Sequence, residues 1–126
     1  MPKVSRESST SCRDHGAVLD RAGELEGYTA NFVLFRENVD GTPLLKGLPN
    51  DRCQCPHWGY VLKGRMTYRY ADHEEVYVAG DAYYAPPGHL PVQHEPGTEI
   101  IMFSPARELR ETEAQMAKNM QALGGS

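Results

Sequence analysis

Apolar and polar positions alternate along much of the chain, which predicts short β-strands. In the segment RMTYRY, Met66, Tyr68 and Tyr70 fall on one face, and arginine and threonine fall on the other. Residues 28–36 form the first clear strand pattern. Similar short segments separated by glycine- and proline-rich turns follow up to residue 105. The pattern therefore predicts an all-β sandwich or barrel of about seven strands.

Different patterns flank the predicted strands at each end. Residues 1–15 are rich in serine and charged side chains, which predicts a disordered N-terminal tail. We expect residues 16–104 to form the barrel and residues 105–126 to form a helix that packs on the barrel or on a partner subunit. Ser104 suits the N-cap of that helix and Pro105 its first position.

Composition narrows the classes of function. A chain of 126 residues fits one domain. Its net charge is -4 and it has no basic block, so we expect no nucleic acid or membrane partner. No run reaches the roughly 20 apolar residues that span a bilayer. Three cysteines without a signal-like leader favour a reducing, cytoplasmic setting.

The segment CQCPH carries the clearest chemistry in the chain. On an extended strand, Cys53, Cys55 and His57 would share one face. Thiolate and imidazole ligands suit a transition metal, and we expect zinc or iron before copper. A histidine from a second strand must complete the site, and we favour His94 over His89. The alternative is that both cysteines are small buried hydrophobes and His57 is a core residue.

Further roles are predicted for the same face of the barrel. Met66, Tyr68 and Tyr70 are candidate substrate-binding residues, although tyrosines at strand spacing also pack cores. His57 is the candidate catalytic residue. In a metal-free enzyme it would act as a general base, with Tyr68 as its partner and Asp51 orienting it.

The strand that begins at His57 has no charged side chain on either face before Lys63. A strand with one face in water would show polar residues there. Its outer face would carry Trp58, Tyr60 and Leu62. We therefore expect the N-terminal strand or a second subunit to cover that face, and we predict a homodimer.

These features resemble the cupin superfamily over about residues 28–104. The run YVLKG resembles the end of the family's first motif, and Gly80, Pro86 and Gly88 match the framework of its second. The family's four metal-ligand positions fall on Asp51, Cys53, His57 and Pro91, and the first three of these side chains can bind a metal.

The resemblance implies a cupin-type jelly-roll β-barrel with a C-terminal α-helix. Such a protein would bind a transition metal through Cys53, Cys55, His57 and His94, and would act on or sense a small organic molecule. The alternative is a metal-free cupin that binds a small ligand or uses His57 as a general base. Cupins perform many reactions, so the fold names neither substrate nor reaction.

Overall fold

The computed structural model describes residues 3–123, which form nine β-strands in two antiparallel sheets and one helix. The strands are β1 (Ser11–Asp14), β2 (Val18–Leu25), β3 (Tyr28–Phe35), β4 (His57–Lys63), β5 (Arg65–Arg69), β6 (Glu74–Val78), β7 (Ala82–Ala85), β8 (Leu90–His94) and β9 (Thr98–Pro105). The helix is α1 (Ala106–Leu123), and two short 3-10 helices, Thr42–Leu44 and Pro49–Asp51, precede β4. The predicted all-β fold with a C-terminal helix is confirmed.

The two sheets enclose a packed interior, which we call the lumen. The larger sheet has the strand order β1-β2-β3-β9-β4-β7, and the smaller has the order β6-β5-β8. Val33, Ile100 and Val61 lie opposite one another on β3, β9 and β4, so their side chains share the inner face. Met66 and Tyr68 of β5 belong to the same buried cluster. Alternation thus buries one face of each sheet in a common core.

The N-terminal segment is more ordered than its composition predicts. Residues 1–15 were expected to be a disordered tail, but Ser11–Asp14 forms β1 and pairs with β2. Asp14 also makes an ion pair of 2.7 Å with Arg36. An exposed ion pair contributes little, so the backbone ladder along the edge of β2 is the main reason for this order. Alternation did not predict β2, because charged residues and a glycine interrupt its apolar pattern.

Helix α1 closes one end of the barrel. Leu109 of α1 packs in a buried cluster with Leu45 and Leu90. Ser104 and Pro105 belong to β9, so the predicted N-cap is wrong, because the chain stays extended until Ala106. The glycines predicted to end the helix, residues 124–125, lie outside the described residues. Within residues 3–123, no helix is both long and apolar enough to cross a membrane.

The outer face of the larger sheet carries an exposed aromatic patch. It consists of Tyr28, Trp58, Tyr60, Tyr84 and Phe103, each between 41% and 49% exposed. The patch lies on β3, β9, β4 and β7, whereas β1 lies at the opposite edge of the sheet. The N-terminal segment covers another part of this face, where Val4 lies over Gly23 and the Arg6 guanidinium lies 6.0 Å from the centre of the Phe32 ring. It does not cover the aromatic patch.

Candidate metal site

Cys53, His57 and His89 converge at the end of the lumen beneath α1. Each offers one ligand atom, and these three atoms lie within 4.8 Å of one another. Cys53 Sγ is 3.7 Å from His57 Nε2. All three residues are buried, with exposed fractions of 4%, 6% and 1% respectively. We call these residues the metal group.

The backbone places Cys53 directly opposite His89. The Cys53 N–H donates to the His89 carbonyl at 3.0 Å, and the Gly88 N–H donates to the Cys53 carbonyl at 2.8 Å. Gly88 has φ +98°, a left-handed conformation that glycine adopts without a Cβ clash. His57 is the first residue of β4 and points into the lumen. The three side chains are thus brought together by the turn at Gly88, the backbone pairing of Cys53 with His89, and the start of β4 at His57.

Each imidazole of the metal group also forms a hydrogen bond to a residue outside the group, which fixes the orientation of the ring. His89 Nδ1 lies 2.8 Å from the Pro86 carbonyl, which can only accept. The proton of His89 is therefore on Nδ1, and Nε2 presents a free lone pair. His57 Nδ1 lies 2.6 Å from the hydroxyl of Ser104, a residue with no exposed surface. With His57 Nδ1–H donating to the Ser104 hydroxyl, the lone pair of His57 Nε2 faces the Cys53 thiol at 3.7 Å.

Ser104 is a site residue that sequence reasoning missed. Its position before a proline and a helical segment indicated an N-cap. Its contact with His57 joins residues 47 positions apart, and no local pattern reports such a contact. The only signal was the alternation along β9, which assigns Ser104 to one face of the sheet. That face brings Ser104 to His57 only once the pairing of β9 with β4 is known.

Burial controls the protonation of the metal group. Burial, and then the neighbouring His89, lowers the pKa of His57 to about 3. Burial also lowers the pKa of His89 and raises the pKa of the Cys53 thiol. The metal-free group therefore contains two neutral imidazoles and a protonated thiol near neutral pH. Neutral imidazoles are the form that binds metals, and the thiol would release its proton when a metal binds.

Cys55 lies outside the metal group, contrary to the predicted ligand set. The prediction assumed an extended strand, but the chain bends at Cys55 before Pro56 and β4 starts only at His57. The Cys55 side chain is fully buried in the cluster around Leu109. Burial, and then the nearby Cys53, raises its pKa to about 12, so it stays a thiol.

His94 also lies outside the metal group, and His89 takes the place predicted for it. The His94 ring stacks on Phe35 with centroids 3.9 Å apart, and its Nδ1 is 2.8 Å from the Val39 carbonyl. Phe35 follows Thr29, the cross-strand partner of Ser104, by six residues along β3. Six strand residues span roughly 20 Å, so His94 occupies the other end of the barrel.

The predicted substrate-binding residues face the lumen but differ in their surroundings. Tyr68 stacks on His89 with centroids 5.4 Å apart and is 4% exposed. Met66 is buried deeper in the core, and the half-buried Tyr70 has its hydroxyl 2.9 Å from that of Tyr77. Of the three, Tyr68 is the one in contact with the metal group.

Comparisons with known proteins agree on the fold. No family model matches the chain, and no curated protein matches it. An RmlC-like cupin from Shewanella frigidimarina is 22% identical, with 83% of this chain and 91% of that chain covered and a TM-score of 0.57. The polyketide cyclase RemF from Streptomyces resistomycificus is 17% identical, with 83% and 79% covered and a TM-score of 0.56.

A protein of unknown function from Rhizobium leguminosarum has a TM-score of 0.58 at 16% identity, with 82% of this chain and 94% of that chain covered. At such low identities a likeness shows the fold alone. The two facing antiparallel sheets, the glycine and proline framework and these structural likenesses together show that the chain has the cupin fold.

Proposed function

We propose that this small cupin binds a transition metal ion through Cys53, His57 and His89, and acts on or senses a small organic molecule. The convergence of three buried ligand atoms within 4.8 Å of one another carries the proposal. A tetrahedral zinc with Zn–S of about 2.3 Å and Zn–N of about 2.0–2.1 Å places its sulfur and nitrogen ligands about 3.6 Å apart. The separation of 3.7 Å between Cys53 Sγ and His57 Nε2 fits that value.

The outer contacts of the imidazoles also support a metal role. Metal-binding histidines usually donate their second ring nitrogen to a carbonyl, a carboxylate or water, which fixes the ring and its tautomer. His89 does so to the Pro86 carbonyl, and Ser104 is placed to do the same for His57. Both rings therefore direct Nε2 toward Cys53 before any ion arrives.

The donor set limits the choice of metal. One thiolate with two imidazoles suits zinc, iron or copper and is unsuited to magnesium or calcium, and we propose zinc or iron before copper. Three protein ligands leave a tetrahedral position open to water or to a substrate atom, as catalytic zinc sites do. A metal bound here would polarise that molecule or lower the pKa of a bound water. Tyr68 would lie beside the bound metal and its ligand, because its ring stacks on His89.

The metal-free alternative, with His57 as a general base, has less support. A general base works best when its pKa lies near the working pH, and burial holds the pKa of His57 at about 3. Asp51, the expected orienting residue, accepts a hydrogen bond of 3.0 Å from the Gly47 N–H in an exposed loop. A metal ligand, in contrast, needs the neutral imidazole that the site provides.

Metal stoichiometry in matched variants tests the proposal. We expect about one equivalent of zinc or iron in the wild type by elemental analysis, and loss of that metal in Cys53→Ser, His57→Gln and His89→Gln. Cys55→Ser and His94→Gln are the controls, because they change buried residues of the same types outside the metal group. Sub-stoichiometric metal in every wild-type preparation, or equal loss in both controls, would overturn the proposal. Circular dichroism of each variant verifies the fold.

We also propose that a second copy of this chain covers the aromatic patch. Five clustered aromatic side chains on one flat sheet face exceed the scattered apolar exposure that is normal for a monomer. Tyr28 and Trp58 already meet edge to face, and Phe103 lines the same shallow groove. Strands β9 and β4, which carry Phe103, Trp58 and Tyr60, would then lie at the centre of the dimer interface.

A further inference from the structure

Within residues 3–123, three buried side-chain atoms have no hydrogen-bond partner. One is Nε2 of His94, whose ring stacks on Phe35. The other two are the hydroxyl oxygen of Tyr83 and the side-chain oxygen Oδ1 of Asn31, both on the larger sheet. Asn31 is 1% exposed and Tyr83 is 6% exposed. Burying a polar group without a partner is destabilising, so such groups are rare and often mark a place where a ligand binds.

Strand register places both atoms in one cross-strand row. Asn31 of β3 lies opposite Met102 of β9, Met102 opposite Gly59 of β4, and Gly59 opposite Tyr83 of β7. A Cβ built on Gly59 would lie 2.5 Å from the Tyr83 hydroxyl, so the tyrosine ring crosses over Gly59. The Tyr83 side chain therefore extends along the row in the direction of Met102 and Asn31.

The two unpartnered atoms are chemically complementary. Asn31 Nδ2 donates to Asp20 at 2.9 Å, which turns Oδ1 away from that carboxylate. The Tyr83 hydroxyl can donate, and Asn31 Oδ1 can only accept. The Cα atoms of Asn31 and Gly59 are two strand spacings apart, roughly 9.5 Å, with Met102 between them, so a bridging group fits only when the Met102 side chain turns aside. A ligand hydroxyl can accept a hydrogen bond from the Tyr83 hydroxyl and donate one to Asn31 Oδ1.

The row lies next to the metal group. His57 precedes Gly59 by two residues on β4, and Ser104 follows Met102 by two residues on β9. Same-face neighbours on a strand are about 6.6 Å apart, which is the length of a small organic molecule. Met102 occupies the intervening position with a flexible side chain that can turn aside.

We propose that Asn31 and Tyr83 form a subsite that binds a hydroxyl group of a small neutral molecule whose other end reaches the metal group. This inference rests on the proposed function, because the molecule bound is the one on which the metal would act. The carboxylate of Asp20 beside Asn31 disfavours an anionic ligand, so the substrate class is a neutral alcohol or polyol.

Glycerol binding to the zinc-loaded protein, followed by NMR titration, tests the subsite. Loss of one hydrogen bond weakens binding by about three- to tenfold, so we expect that weakening in Tyr83→Phe and in Asn31→Leu. Tyr84→Phe is the matched control, because the next residue carries the same side chain on the outer face. Met102→Ala is expected to strengthen binding by opening the row. Propionate should bind more weakly than glycerol.

Unfolding measurements add a readout that does not depend on ligand. Because the Tyr83 hydroxyl has no partner in the free protein, Tyr83→Phe should keep the urea midpoint unchanged or raise it. A marked loss of stability would instead show that the hydroxyl is bonded within the protein, and would overturn the inference.

The outcomes separate this inference from the metal proposal. No glycerol binding in the wild type, or equal binding in Tyr83→Phe, Asn31→Leu and the control, overturns the subsite even if zinc binds stoichiometrically. Residue-dependent glycerol binding in protein that takes up neither zinc nor iron supports the subsite and overturns the metal proposal.

Discussion

Acid titration of the metal-free protein tests the burial of His57. The pKa of His57 is about 3 in the folded chain, against an ordinary value of 6.5. Because the folded pKa is lowered, this stabilising contribution is fully present above pH 6.5 and is lost as the pH falls toward 3. At 1.36 kcal/mol per pH unit, the whole contribution is about 5 kcal/mol, a large share of a typical total of 5–15 kcal/mol.

A narrower pH range gives the contribution of His57 to the free energy of unfolding under milder conditions. Between pH 6.5 and 4.5 we expect His57 alone to lower the free energy of unfolding by about 2–3 kcal/mol. The pKa values of His89 and His94 are also lowered by burial, so they add loss of the same sign. Burial raises the pKa values of Asp20 and Glu113, and these carboxyls act in the opposite direction.

Comparing urea unfolding of His57→Gln with that of the wild type cancels the pH-dependent contributions of the groups that both proteins contain. The variant should lose about 2–3 kcal/mol less than the wild type over this range. Equal pH slopes in wild type and His57→Gln would refute the claim that a neutral, desolvated imidazole is buried here.

Three further predictions follow from the same contacts. Ser104→Ala removes the partner of an imidazole Nδ1 and should weaken zinc affinity by about 10- to 100-fold in a chelator competition assay. Gly59→Ala forces a Cβ into the Tyr83 ring, so it should lower the urea midpoint, and Tyr83→Ala in the same chain should restore part of the loss. Trp58→Arg should shift the protein from dimer to monomer in sedimentation velocity, whereas Val76→Arg on the smaller sheet should not. A wild-type monomer would contradict the dimer proposal.

The fold could be predicted because each sequence feature that indicates it involves only residues close together in the chain. The alternation in residues 65–70 reflects one face buried in the lumen. Gly64, Gly80 and Gly88 have φ values of +85°, +97° and +98°, so the turns between strands require residues without a Cβ. Such requirements can be recognised in a sequence, because each depends on one residue and its neighbours.

The metal group was only partly predictable because its geometry is not local. Cys53 and His57 lie four residues apart and were identified together. Cys55 was expected on the same face as these two residues, but the bend before Pro56 interrupts the extended strand on which that expectation depends. The choice between His89 and His94 depended on how β8 aligns with the rest of the barrel, which five residues of sequence do not determine.

X-ray absorption fine structure of the zinc-loaded protein identifies the ligands of the bound metal. We predict one sulfur at about 2.3 Å and two imidazole nitrogens at about 2.0–2.1 Å, with the fourth position filled by a light atom. Two sulfurs would mean that Cys55 joins Cys53 as a ligand, and a shell without sulfur would remove Cys53. Either result would contradict a site built from Cys53, His57 and His89.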